Sequence, residues 1–310
     1  MARNLFLIVL ILILFVGSFY VRSRLDKTTA NSKTTALNPI SGAVPKRIVS
    51  LSPSITEILF ALGLDDRLIG VTRYCDYPPK ACQKKQVGGW NDPNYETIIG
   101  LGPDLIIIRD DHKDAQKKLK QAGIRILPIN HRTLDGIIES IQRIGACCGR
   151  QKHAQELLRD IRTRMDGIRK KARGLDRPSV MITIGRNMGT GGIKDIYIAG
   201  NEGFYSEMIK IAGGRNAVSD SVTFPSVSRE GIISLNPDVI IDMVSDMNKR
   251  GWTREKIIRQ WAALPMVSAV KHERVHVFTE DFVVIPGPRF ILIIEKLARV
   301  IHPELFTDNQ

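Results

Sequence analysis

Glu96-Thr-Ile-Ile-Gly-Leu-Gly-Pro-Asp-Leu-Ile-Ile107 returns 134 residues later as Glu230-Gly-Ile-Ile-Ser-Leu-Asn-Pro-Asp-Val-Ile-Ile241, with eight of twelve positions identical. About one match would arise by chance at ordinary residue frequencies. Each copy spells a short helix with its apolar positions inward, a proline turn and a buried strand. Short α/β units can converge on the Ile, Leu and Pro positions. Convergence accounts less easily for the Glu and the Asp. The repeat therefore predicts two related lobes.

Around the first copy, strand and helix alternate. A short apolar strand covers residues 47–51, a helix opens at Ser52-Pro53-Ser54 and closes at Gly63, and further strands follow at 68–72, 104–108 and 124–129. Residues 134–173 differ, because Ile137, Ile138, Ile141 and Ile144, then Leu157, Leu158, Ile161, Met165 and Ile168, recur at helical spacing. Gly145 and Gly149 interrupt this stretch, so a short helix precedes a long one from about Gln151. Some 20 helical residues would reach on the order of 30 Å, enough to bridge two lobes. Alternation resumes after Pro178. The expected fold is α/β, two Rossmann-like lobes with mostly parallel sheets joined by a long backbone helix. The expected boundaries are an anchor or signal over 1–25, a flexible tether over 26–45, an N-terminal lobe over 46–133, a connecting helix region over 134–175 and a C-terminal lobe over 176–306.

The chain has 310 residues and a formal charge of +13, which raises nucleic acid or an anionic membrane as partners. The basic residues are scattered in small groups such as Lys117, Lys118, Lys120 and Arg169, Lys170, Lys171, with no aromatic-interleaved stripe. A solvated basic face is expected, and no nucleic acid. At the N-terminus, Arg3 precedes an apolar run from Leu5 to Val21, which suits either a signal peptide or a short transmembrane anchor. Bulky Phe19, Tyr20 and Val21 follow Gly17-Ser18, which favours an uncleaved anchor in the inner membrane. No cysteine follows the run closely, so a lipoprotein anchor is not expected; either way the remainder is exported. Cys75 and Cys82 flank the turn-forming Asp76-Tyr77-Pro78-Pro79, and a disulfide between them would suit an oxidising compartment; two unpaired thiols are the alternative. Cys147 and Cys148 read as small buried hydrophobes.

Signals for catalysis are missing. Gly185 to Gly192 is glycine-rich but has neither a P-loop Lys-Ser/Thr nor GxGxxG spacing, no GxSxG occurs, and the six histidines show no HExxH. Neither a metal site nor a cofactor is expected. Aromatics on loops remain: Tyr74, Tyr77, Trp90 and Phe224. Trp90 and Phe224 each stand six residues before the repeat glutamates, so they are expected to face one another across a cleft and hold a flat ligand. Glu96 and Glu230 sit in first helical turns, behind the N-cap candidates Asn94 and Ser228, where the helix dipole favours an acid. Two matching acids also suit docking to a two-fold partner that presents arginines.

The stretches Tyr74-Cys-Asp-Tyr-Pro-Pro79, Val87-Gly-Gly-Trp90, Asn94-Tyr-Glu96, Leu101-Gly-Pro-Asp104, Val227-Ser-Arg-Glu230 and Asn236-Pro-Asp238 resemble the cobalamin-binding periplasmic proteins. Their wider family also holds siderophore and haem receptors. The resemblance covers nearly all of Lys46 to His302. It implies a class III periplasmic binding protein, with little hinge motion and the ligand in the groove between lobes. It further implies that Tyr74, Trp90 and Phe224 contact a corrinoid, that Asp281 stands near the ligand edge, and that Glu96 and Glu230 engage arginines of an ABC permease coupled to its ATPase. Phe224 stands where the best-known cobalamin binder has tryptophan, and Phe282 to Arg289 lacks that relative's polar residues. A ferric siderophore or haem is the alternative ligand; Arg73, Arg186 and Arg289 are the residues that would bind an anion. A membrane-anchored scaffold or enzyme on this fold is the rival from another class.

Overall fold

The computed structural model describes residues 43–185, 193, 196–219, 221–245, 247 and 251–306. The apolar run at 5–21, most of the tether and residues 186–192 of the glycine-rich loop lie outside the described residues.

The first lobe runs β1 (Ile48–Ser50), α1 (Pro53–Ala61), β2 (Leu68–Val71), β3 (Lys85–Gln86), α2 (Tyr95–Gly100), β4 (Leu105–Arg109), α3 (Lys113–Gln121) and β5 (Ile126–Ile129). Its five strands are all parallel, in the order β3-β2-β1-β4-β5. Helices cover both faces, which explains why Ile48, Val49, Leu105, Ile106, Ile107 and Ile108 are all wholly buried rather than alternating in and out.

Two helices then leave the sheet, α4 (Leu134–Cys147) and the 21-residue α5 (Gln151–Lys171). On α5 the buried residues are Ala154, Leu158, Ile161, Met165 and Ile168, a single stripe at spacings of four and three. The remaining faces carry charge.

The second lobe holds β6 (Ser179–Gly185), β7 (Ile196–Ile198), α6 (Phe204–Ile211), β8 (Arg215–Asn216), β9 (Ser226–Val227), α7 (Arg229–Leu235), β10 (Val239–Met243), α8 (Arg254–Trp261), α9 (Ser268–Lys271), β11 (Val275–Phe278) and α10 (Phe290–Ile301). The sheet order is β11-β10-β6-β7-β9, with β8 also on β6. Pairing is parallel except where β7 meets β6 and β9, so this sheet is mixed.

The internal repeat is a repeat of backbone chemistry. Asn94 Oδ1 accepts from Thr97 N at 2.9 Å to cap α2, and Ser228 Oγ accepts from Gly231 N at 3.2 Å to cap α7. Both helices end in the left-handed region, at Gly102 (φ 57°) and Asn236 (φ 41°), which glycine and asparagine tolerate best. Asp104 then receives the backbone N–H groups of Lys46 and Arg47 at 2.7 and 3.0 Å, and Asp238 receives that of Ser179 at 2.8 Å. Each repeated aspartate thus anchors the chain as it enters the neighbouring strand, β1 or β6. Packing alone would not require it.

The lobes share one core. A single buried cluster runs from Ile48 and Ile58 through Ile137 and Ile161 to Phe204 and Phe290. Arg164 of α5 also grips Glu295 of α10 with two bonds of 2.8 and 2.9 Å. A shared core of this kind resists bending between the lobes.

Candidate functional site

In parallel sheets, ligands collect outside the carboxyl ends of strands. Here those ends from both lobes converge on one cleft of about 560 Å3. The first lobe contributes Ser52, Ser54 and Glu57 after β1, Tyr74, Asp76 and Tyr77 after β2, Trp90 and Asp92 after β3, and Arg109 at the end of β4. The second contributes Ser245 after β10, and Asp281 and Val284 to Pro286 after β11.

Trp90 is held by a glycine turn. Gly88 has a φ of +94°, and a Cβ there would lie 2.6 Å from the backbone atoms Asn94 N and Asp92 O. Only glycine permits a chain so tight, and Arg73 clasps its far side through Asp92 at 2.7 Å. That guanidinium holds the Asp92 carboxyl below the usual range. Arg109 lies over the indole, its Cζ 4.8 Å from the ring centroid, and the His112 ring is also 4.8 Å away. The ring is therefore fixed before any ligand arrives.

Arg289 organises the opposite wall. Its Nε and Nη2 donate to Glu57 at 3.0 and 2.6 Å, while Nη1 and Nη2 donate to Asp281 at 2.9 and 2.8 Å. Glu57 belongs to α1 of the first lobe, so this pair ties the lobes together. The guanidinium also stacks on Tyr77, with Cζ 3.6 Å from the ring centroid. A Cβ at Gly287 would come within 2.8 Å of Glu57 Oε2, so the loop before Arg289 must be glycine to approach. Burial raises the Glu57 pKa, and Arg289 pulls against it.

Beneath the cleft lies a buried polar chain. Ser52 Oγ is 2.9 Å from Ser54 Oγ, which is 2.8 Å from His131 Nδ1. Burial pushes the His131 pKa down to about 3, so the ring is neutral.

Tyr74, Trp90 and Asp281 thus line one cleft. Phe224 does not join that wall. It is exposed and sits edge-on to Tyr205 at 6.5 Å; the Tyr205 hydroxyl in turn donates to Val283 O at 2.6 Å. Its loop is tied to the end of β7 by bonds from Gly200 N to Thr223 O and from Ile198 N to Pro225 O. Asp281 lines the cleft with its carboxylate engaged by Arg289. Glu96 and Glu230 occupy equivalent places on α2 and α7, outside the cleft, and both are exposed.

Of the two alternatives for Cys75 and Cys82, the structure has the unpaired one: both thiols are free. Cys75 is buried between the Thr56 and Thr72 hydroxyls at 3.2 and 3.1 Å, whereas Cys82 rides a surface turn, 3.6 Å from Asp76 O. Burial raises the Cys75 pKa, which leaves it an inert thiol. Glu57, Arg109 and His131 escaped the sequence reading. The available signals were a Glu on the apolar face of α1, an Arg closing the buried strand β4 and a His just past β5.

A family model described as periplasmic binding protein matches residues 48–281. An uncharacterised ABC transporter substrate-binding lipoprotein, YvrC of Bacillus subtilis, is 34% identical over 85% of this chain and 82% of its own length. The vitamin B12-binding protein of Photorhabdus laumondii is 31% identical over 84% of this chain and 89% of its own. Among solved structures, a possible iron-binding (periplasmic solute-binding) protein from Staphylococcus epidermidis superposes with a TM-score of 0.70 at 28% identity, covering 84% of this chain and 100% of that one.

Proposed function

Because the chain belongs to the periplasmic binding protein family and serves an ABC importer outside the cytoplasm, we propose that its cargo is a corrinoid, captured between the lobes and delivered to the membrane permease. Its work is binding, not turnover.

The charge of the cleft carries this reading. Glu57, Asp76, Asp92 and Asp281 line it, against Arg109 alone among the described basic residues. Arg73 and Arg289, the described cations that could have met an anionic chelate, are already bonded to Asp92, Glu57 and Asp281. Arg109 is likewise bonded to Asp111, so an anionic ferric siderophore or a haem with its carboxylates would find none of these three guanidiniums without a carboxylate partner. A corrinoid rimmed with neutral amides would find acceptors, and Trp90 and Tyr74 offer faces to its ring. The 31% identical relative named for vitamin B12 points the same way.

Docking is assigned to Glu96 and Glu230, which project from matching helices and suit bidentate arginine. The run from Leu5 to Val21 is assigned as the anchor that keeps the protein at the outer face of the inner membrane.

Calorimetric titration with cyanocobalamin tests the cargo. Trp90→Ala should weaken binding about tenfold, the combined loss of stacking and buried area. Glu96→Ala with Glu230→Ala should bind as the parent does while losing uptake. A parent protein that ignores cyanocobalamin but takes up an anionic ferric chelate would refute the corrinoid assignment.

A further inference from the structure

Ile99 and Ile233 are large apolar side chains left 50% and 38% exposed. Single exposed isoleucines are ordinary. These two occupy the same position of the repeat, each three residues after its glutamate, so Glu96 with Ile99 and Glu230 with Ile233 share one helical face. In both copies the preceding Ile98 or Ile232 is wholly buried and supplies the packing. The outward isoleucine therefore has no core duty. Positions free of such duty have diverged between the copies, as Gly100 and Ser234 show, yet this one is Ile in both.

We propose that each docking knob is a glutamate paired with an apolar plug, and that the partner presents, twice, an arginine beside an apolar socket. This rests on the docking assignment to Glu96 and Glu230 and deepens it. The charge calls for a cation. The exposed Ile, once covered, excludes water from the carboxylate–guanidinium pair, and so strengthens it. Glu230 is held at its own helix start by Ser228, with Arg229 nearby, and it stays exposed there, as Glu96 does. An importer permease with two related halves supplies two such sockets. A surface of isolated arginines does not.

The test measures association of the full chain with its ABC permease in nanodiscs, alongside cyanocobalamin affinity and self-association by sedimentation. Ile99→Ser or Ile233→Ser should weaken association about five- to tenfold, and the pair more, since burying half an isoleucine contributes roughly that factor. Ile99→Val with Ile233→Val should retain most of it. Cyanocobalamin affinity should not change. If the serine pair associates like the parent while Glu96→Ala with Glu230→Ala does not, the plug is wrong and glutamate docking stands. If both pairs associate normally, the docking assignment falls and the plug with it. If the serine pair abolishes a dimer of this chain without touching the permease, the surface serves a second copy and the proposal is overturned.

Discussion

Arg289→Ala is expected to cost the fold about 3–5 kcal/mol in urea unfolding, because it strands a buried carboxylate. The Glu57 side chain is 2% exposed and that of Arg289 13%, so solvent cannot replace the missing partner. Asp281, at 52%, can turn to water, and Asp281→Asn should cost less than about 1 kcal/mol. The pH dependence has a definite sign. Burial already raises the Glu57 pKa, and removing Arg289 raises it further. A carboxyl whose folded pKa lies above its unfolded value contributes stability at low pH and loses it as pH rises through the folded pKa. The variant's deficit should therefore widen from pH 5 to pH 8. Glu57→Leu with Arg289→Met should recover much of the loss, since apolar replacements of a buried pair are often neutral. Equal stability of Arg289→Ala and the parent at pH 8 would show that the pair does not hold the lobes.

This pair also marks the boundary of what the sequence discloses. Glu57 and Arg289 lie 232 residues apart, and no local pattern joins them. The run from Phe282 to Arg289 reads as apolar, yet it delivers the guanidinium that organises one wall of the cleft. The repeat, by contrast, was legible because its constraints are local. A left-handed turn needs Gly102 or Asn236, a helix start needs Asn94 or Ser228, and the strand beside the turn needs Asp104 or Asp238. Trp90 was legible for the same reason, since Gly88-Gly89 announces its turn. Phe224 shows the limit of arguing by symmetry. Equal spacing from the repeat gave it the right lobe, but the antiparallel β7 and β9 that carry its loop have no counterpart in the all-parallel first sheet, so the two loops are not built alike.

His131 should make the protein acid-sensitive in a window that no surface histidine would produce. The ring is 2% exposed, and its Nδ1 faces the Ser54 hydroxyl of the cleft wall. Burial, helped by the Arg109 charge, holds its pKa near 3 against an ordinary 6.5. A neutral ring that accepts from Ser54 at Nδ1 carries its proton on Nε2, which is buried without a partner among the described residues. A second proton would leave two charged donors there with too few acceptors. A histidine with a depressed folded pKa leaves stability constant above pH 6.5. Below that the unfolded chain takes up a proton that the folded chain refuses, and stability falls until about pH 3. Each unit is about 1.4 kcal/mol, so moving from pH 7 to pH 4.5 should cost about 3 kcal/mol through this group. His112 and His276 are also depressed by burial and add to the slope, so the measurement must be differential. His131→Asn cannot titrate and keeps those two. It should start less stable at pH 7, yet lose about 3 kcal/mol less than the parent on acidification. Parallel stability curves for the two proteins would mean that the imidazole reaches water in the folded state. The polar chain under Ser52 and Ser54 would then not be the dry floor that fixes the cleft wall before ligand enters.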